Sequence, residues 1–110
     1  MDDLVGRLCA GEHPVQLGGR DPSAARLHER IRDQGSVFVR FPDTRGGTEL
    51  LVSLDPGATR ADAADFERGT GRVHLEGTLS LNEVPVRCVA DLELESLRGT
   101  GLLVATADLR

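Results

Sequence analysis

The sequence predicts an α+β fold: a twisted or partly closed antiparallel sheet of about five strands, with one main amphipathic helix (about 22–33) packed on its apolar face. Three observations predict it. Residues 72–94 alternate apolar and polar with period two through two long runs, the mark of a sheet with one wet and one dry face. Residues 36–54 hold a second pair of apolar runs around Pro42-Asp43-Thr44-Arg45-Gly46-Gly47. Between Asp21-Pro22-Ser23 and Gly35, the residues Ala24, Leu27 and Ile31 form a narrow stripe at helical spacing.

In chain order, residues 1–20 read as a weakly structured N-terminal segment. Asp2 to Cys9 suits a short helix with carboxylates at its start, which Gly6 weakens and Gly11 stops. His13 to Gly19 reads as extended or looping, with a short strand through Val15 and Leu17 as one form of it. The 21–35 segment is the helix, with Asp21 as N-cap, Pro22 at the first helical position and Gly35 as the stop. Ser36 to Phe41 is a strand with Val37, Val39 and Phe41 on one side, and Glu49 to Leu54 returns. The 55–71 segment is a connection that can hold a short helix capped by Thr59. A three-stranded meander over 72–106 completes a single domain.

The hairpin at the centre of that meander fixes its own register. A two-residue loop at Asn82-Glu83 pairs Leu81 with Val84, Leu79 with Val86, Gly77 with Cys88, Leu75 with Ala90 and Val73 with Leu92. All of these fall on the apolar face. The other face then sets Thr78 across from Arg87, His74 from Asp91 and Arg72 from Glu93. A slip of one residue would set apolar side chains against polar ones along the whole length.

Composition narrows the function classes. There is no Trp or Tyr, and Phe38, Phe41 and Phe66 are the only aromatic residues of that class, so the core is built from Leu and Val. All thirteen basic residues are Arg, the usage of a GC-rich bacterial genome. A net charge of −5 argues against a general nucleic-acid binder. Cys9 and Cys88 are distant and form no CxxC pair, and no leader or long apolar run stands in the chain, so the expected setting is the cytoplasm with no membrane. No His/Cys/Asp spacing suggests a metal, and no cofactor motif appears.

Three sets of residues are candidates for a site. Arg68-Gly69-Thr70-Gly71 and Arg98-Gly99-Thr100-Gly101 precede two strands, and Arg45-Gly46-Gly47-Thr48 is a looser third copy. Guanidinium forks beside turn amides would make an anion-binding rim of Arg45, Arg68, Gly69, Gly71, Arg98, Gly99 and Gly101. Glycine's use in turns also accounts for these repeats. Extending the register to the last strand puts Leu75, Ala90 and Ala105 in one row and Gly77, Cys88 and Ala107 in the next, an interior depression for Leu27, Ile31, Phe66 or a small apolar ligand to fill. His74 opposite Asp91 is the third candidate, an imidazole oriented by a carboxylate.

Two stretches resemble known families. Ser96-Leu97-Arg98-Gly99 resembles the second half of the D/N-x-S-x-x-G signature of PilZ domains, and Arg26 and Arg30 have that family's R-x-x-x-R spacing. Leu94 departs from it, standing where the family has Asp or Asn; the arginines fall in the expected helix, and the interval between the two halves is longer than in that family. Gly77-Thr78-Leu79-Ser80-Leu81 with Val84-Pro85-Val86 is similar to a strand pair of the polyisoprenoid-binding barrel family, over residues 77–86 of the chain. No function carries over from either. The expected function is a small non-catalytic binding or protein-interaction module, contacting an anion through the Arg/Gly rim. A carrier or enzyme using the interior depression for a small apolar ligand is one alternative, and an acid–base enzyme using His74 and Asp91 another. A free edge strand over 102–106, with Leu102 and Val104 on its wet side, would suit pairing with a protein partner or a second copy.

Overall fold

The computed structural model describes residues 3–44, 46–81 and 83–105. The chain runs α1 (Asp3–Leu8), β1 (His13–Leu17), α2 (Ala24–Glu29) continuing into a π-helical turn (Arg30–Gln34), β2 (Ser36–Phe41), β3 (Thr48–Leu54), β4 (Ala64–Asp65), β5 (Thr70–Leu81), β6 (Val84–Glu93) and β7 (Arg98–Ala105). The β5–β6 hairpin takes the register that its alternation predicts, from Leu81 opposite Val84 to Arg72 opposite Glu93. Val73, Leu75, Val86, Cys88, Ala90 and Leu92 are buried, while the opposite face carries His74, Glu76, Arg87 and Asp91.

The sheet is not the expected partly closed layer of about five strands. Among the described residues it has seven strands in the order β3-β2-β1-β7-β6-β5-β4, and β3 pairs with β5 as well. Six strands therefore form a closed antiparallel barrel, with the short β4 added beside β5. Closure rests on Ser53 opposite Thr78 and Leu54 opposite Gly77. Gly77 permits the approach, because a Cβ there would collide with the Ser53 carbonyl oxygen.

Beyond the five main strands expected stand β1, which realises the short strand through Val15 and Leu17, and β4. β1 comes from the N-terminal segment read as weakly structured; it bonds β2 on one side and β7 on the other. In place of the helix over 58–68, the chain lies along β5. Thr59 caps no helix: its Oγ1 donates to the Glu76 carbonyl at 3.1 Å and accepts from the Glu76 amide at 3.3 Å. Arg60 then bridges to His74, and Ala64 pairs with Gly71.

β7 begins at Arg98, earlier than expected, so its register differs. Ala90 faces Gly101, Cys88 faces Leu103, and Ala105 faces Val86 rather than Ala90. β7 is an inner strand over Arg98 to Gly101, which pair with Gln16 to His13 of β1; that pairing stops short of the 102–106 edge, whose last residue lies outside the described residues. Leu102 and Val104 do lie on the outer face, with Val104 36 % exposed.

A closed barrel keeps its apolar face inside, so the main helix covers an open end instead of a sheet face. Leu27 is fully buried there, with Ala24 and Ile31 packed against the core. Ser23, not Asp21, is the N-cap: its Oγ accepts from the Arg26 amide at 3.1 Å, and Asp21 has φ +50°. Gly35, at φ +68°, ends the helical stretch as expected. Antiparallel pairing gathers Leu17, Ser36, Leu54, Thr70, Glu93 and Arg98 at this end of the barrel. α1 sits at the opposite end, where Val5 and Leu8 are fully buried. His13 ties it down, with Nε2 on the Arg7 carbonyl at 2.8 Å and Nδ1 on Asp43 at 3.1 Å. No helix among the described residues is long and apolar enough to cross a membrane.

Candidate functional site

Where β1 leaves the barrel, the chain turns sharply over Gly18 and Gly19. The Leu17 amide still donates to the Leu97 carbonyl at 2.8 Å, and the Gly18 amide to the Phe38 carbonyl at 2.9 Å. Gly19, at φ +91°, then swings the chain outward across the Phe38 ring. Its amide donates to Glu49 Oε1 at 2.9 Å. The amides of this turn are therefore already engaged, and the donors that remain are side chains.

Those donors are guanidiniums. Arg30, on the π-helical turn, donates Nε to the Ser36 carbonyl and Nη2 to the Ser36 hydroxyl, each at 3.0 Å, and lies 5.2 Å from the Phe38 ring centroid. Arg20 follows the glycine turn, and Arg26 projects from α2. Together with Leu17, Pro22, Leu27 and Phe38 they line a partly open cleft of about 210 Å³. Among the described residues no Asp or Glu lines it. Among the described residues neither Arg20 nor Arg26 has a carboxylate partner, whereas Arg32, Arg68, Arg72 and Arg87 each do. A carboxylate- or phosphate-bearing molecule would find guanidinium forks above an apolar floor. Among the described residues the lining holds no nucleophile, carboxylate or imidazole.

The residues of the expected rim do not converge. Arg68 and Arg98 start strands at the α2 end, and the Gly46-Gly47 turn lies at the other end because β3 runs antiparallel to β5. Arg45 lies outside the described residues. Arg68 pairs with Asp65 at 3.7 Å. Gly69 is a turn residue at φ +67°, but Gly71 pairs with Ala64, and Gly99 and Gly101 are strand residues bonded on both sides. A Cβ on Gly71 would collide with the Ala63 carbonyl oxygen, and one on Gly99 with that of Asp91. Close backbone approach accounts for these glycines.

The interior residues Leu75, Gly77, Cys88 and Ala90 are buried in the barrel, Ala105 is partly buried beside them, and Ala107 lies outside the described residues. Leu103 stands beside Cys88 in the row expected to be shallow, and the Val15 and Val52 side chains press against Gly101 and Gly77. The strands thus fill the depression themselves. Burial pushes the Cys88 thiol up to about 12, so it stays neutral.

His74 and Asp91 meet at 2.8 Å, and the other ring nitrogen meets Glu76 at 3.2 Å. Carboxylates only accept, so both bonds form when the ring carries both protons. Burial disfavours that charge, but the hydrogen bonds to Asp91 and Glu76 outweigh it and leave the His74 pKa raised. Arg87 joins Glu76 to Asp55, each at 3.0 Å, and its hydrogen bond holds both carboxyls below their ordinary range. With both nitrogens on carboxylates the ring has none left for a substrate. The network fastens the 55–60 segment to the barrel wall.

Reasoning from sequence passed over Arg20 and did not join it to Arg26 and Arg30. The available signal was Gly18-Gly19-Arg20 followed by the i, i+4 arginines, which places three guanidiniums within one turn-and-helix segment. The chain matches no protein-family model, and no curated protein matches it.

Proposed function

We propose that this protein is a non-catalytic binding module whose ligand is a small anion held in the cleft of Arg20, Arg26 and Arg30. The observation that carries this reading is a lining with three guanidiniums and no carboxylate in a chain of net charge −5. Among the described residues Arg20 and Arg26, like Arg60 and Arg98, have no carboxylate partner, which leaves both guanidiniums of the cleft open to an anion. Arg30 is held in place by Ser36 and Phe38 before any ligand arrives, which lowers the ordering cost of binding.

Calorimetric titration of the protein with inorganic phosphate tests it. Binding should weaken as salt rises, and should fall about tenfold or more in the double variant Arg20→Gln/Arg26→Gln, with the melting temperature kept. The control Arg68→Gln/Arg98→Gln should bind as the parent does. Equal affinity in the cleft variant and the parent would overturn the proposal.

A further inference from the structure

The shape of the cleft narrows its ligand further than its charge does, given that the site takes an anion as proposed. Its donors and its apolar surface lie side by side. Phe38 forms the floor, its ring beneath Arg30 and its Cδ2 edge against Gly19. Pro22, Leu17 and Leu27 supply the remaining apolar walls. A bare inorganic anion would touch the guanidiniums and leave that surface wet. A ligand with an apolar body beside its charge would cover both, and each Å² of apolar area removed from water contributes roughly 25 cal/mol.

Size limits the body. At about 210 Å³ the cleft is below the roughly 300–1,000 Å³ of sites for drug-sized ligands. One ring beside its anionic group fits that space better than an extended molecule. The number of guanidiniums bears on the charge. A carboxylate offers two oxygens and a single charge, which one fork can satisfy. A phosphate monoester offers three terminal oxygens and about −1.5 to −2 charges at neutral pH, matching three guanidiniums.

We infer that the cleft is a site for a phosphate monoester of a small, flat apolar group, its phosphoryl oxygens on Arg20, Arg26 and Arg30 and its ring on Phe38.

Calorimetric titrations of the full chain with phenyl phosphate, inorganic phosphate and benzoate, at matched ionic strength, test this. Phenyl phosphate should bind about tenfold tighter than either of the others, and Phe38→Ala should shrink its advantage over inorganic phosphate. Inorganic phosphate binding as well as phenyl phosphate would overturn the apolar half of the inference and leave the anion reading standing. Benzoate binding as well as phenyl phosphate would overturn the phosphoryl half. No heat with any of the three would overturn this inference and the anion reading together.

Discussion

The guanidinium of Arg30 grips Ser36 twice, Nε on its carbonyl oxygen and Nη2 on its hydroxyl, both at 3.0 Å. This pair joins the last turn of the helical segment to the first residue of β2 and fixes one wall of the arginine cleft.

Replacing Arg30 by Lys keeps the charge and removes the fork. Loss of the paired hydrogen bonds and of the contact with Phe38 should lower stability by about 1–2 kcal/mol in urea denaturation, and phosphate affinity should fall as well. Unchanged stability would mean that the double grip on Ser36 contributes nothing.

The His74 network gives a pH dependence with a definite sign. The His74 pKa is raised above its ordinary 6.5, so its contribution to stability is complete below that value and is lost as pH rises through the raised one. Glu76 and Asp55 are lowered from 4.5 and 3.8, so theirs are present above those values and fade as pH falls. Between pH 4.5 and 6.5 all three act together. The melting-temperature difference between the parent and His74→Gln should be largest in that window and narrow by about pH 8. A difference that widened toward alkaline pH would contradict the doubly bonded imidazolium.

Leu103 is fully buried opposite Cys88. Leu103→Ala should destabilise by about 2–5 kcal/mol, the range for truncating a leucine in a packed core. A loss under about 1 kcal/mol would show that the interior is not filled as described.

Glu83 holds the hairpin turn at φ +68°, where a side chain is strained. Glu83→Gly should raise stability by about 0.5–1 kcal/mol with no change of register, as read by chemical denaturation and cross-strand NOEs. A loss of stability would mean that the Glu83 side chain contributes more than its strained backbone costs.

The β5–β6 register was legible because ten consecutive pairs agree on one answer, from Arg72 with Glu93 to Leu81 with Val84. Barrel closure was not, because only Ser53 with Thr78 and Leu54 with Gly77 carry the β3–β5 contact, and no pattern in either strand names a distant partner. The β7 register was missed because Gly99 and Gly101 read as turn residues, yet they are strand residues where neighbouring backbone and side chains approach closely. Leu97, at φ +58°, makes the turn in their place. The arginine cleft depends on where α2 docks against the Gly18-Gly19 turn. That is a tertiary distance, and the spacing of Arg20, Arg26 and Arg30 alone does not encode it.

The most direct test of the central claim is a two-dimensional amide NMR titration with phosphate, mapped residue by residue. An anion in the cleft should gather the shifts on Gly18, Gly19, Arg20, Arg26 and Phe38, fading as salt rises. Shifts gathered instead on Gly69, Gly71 and Gly99 would contradict it and place the anion at the strand starts around Arg68 and Arg98.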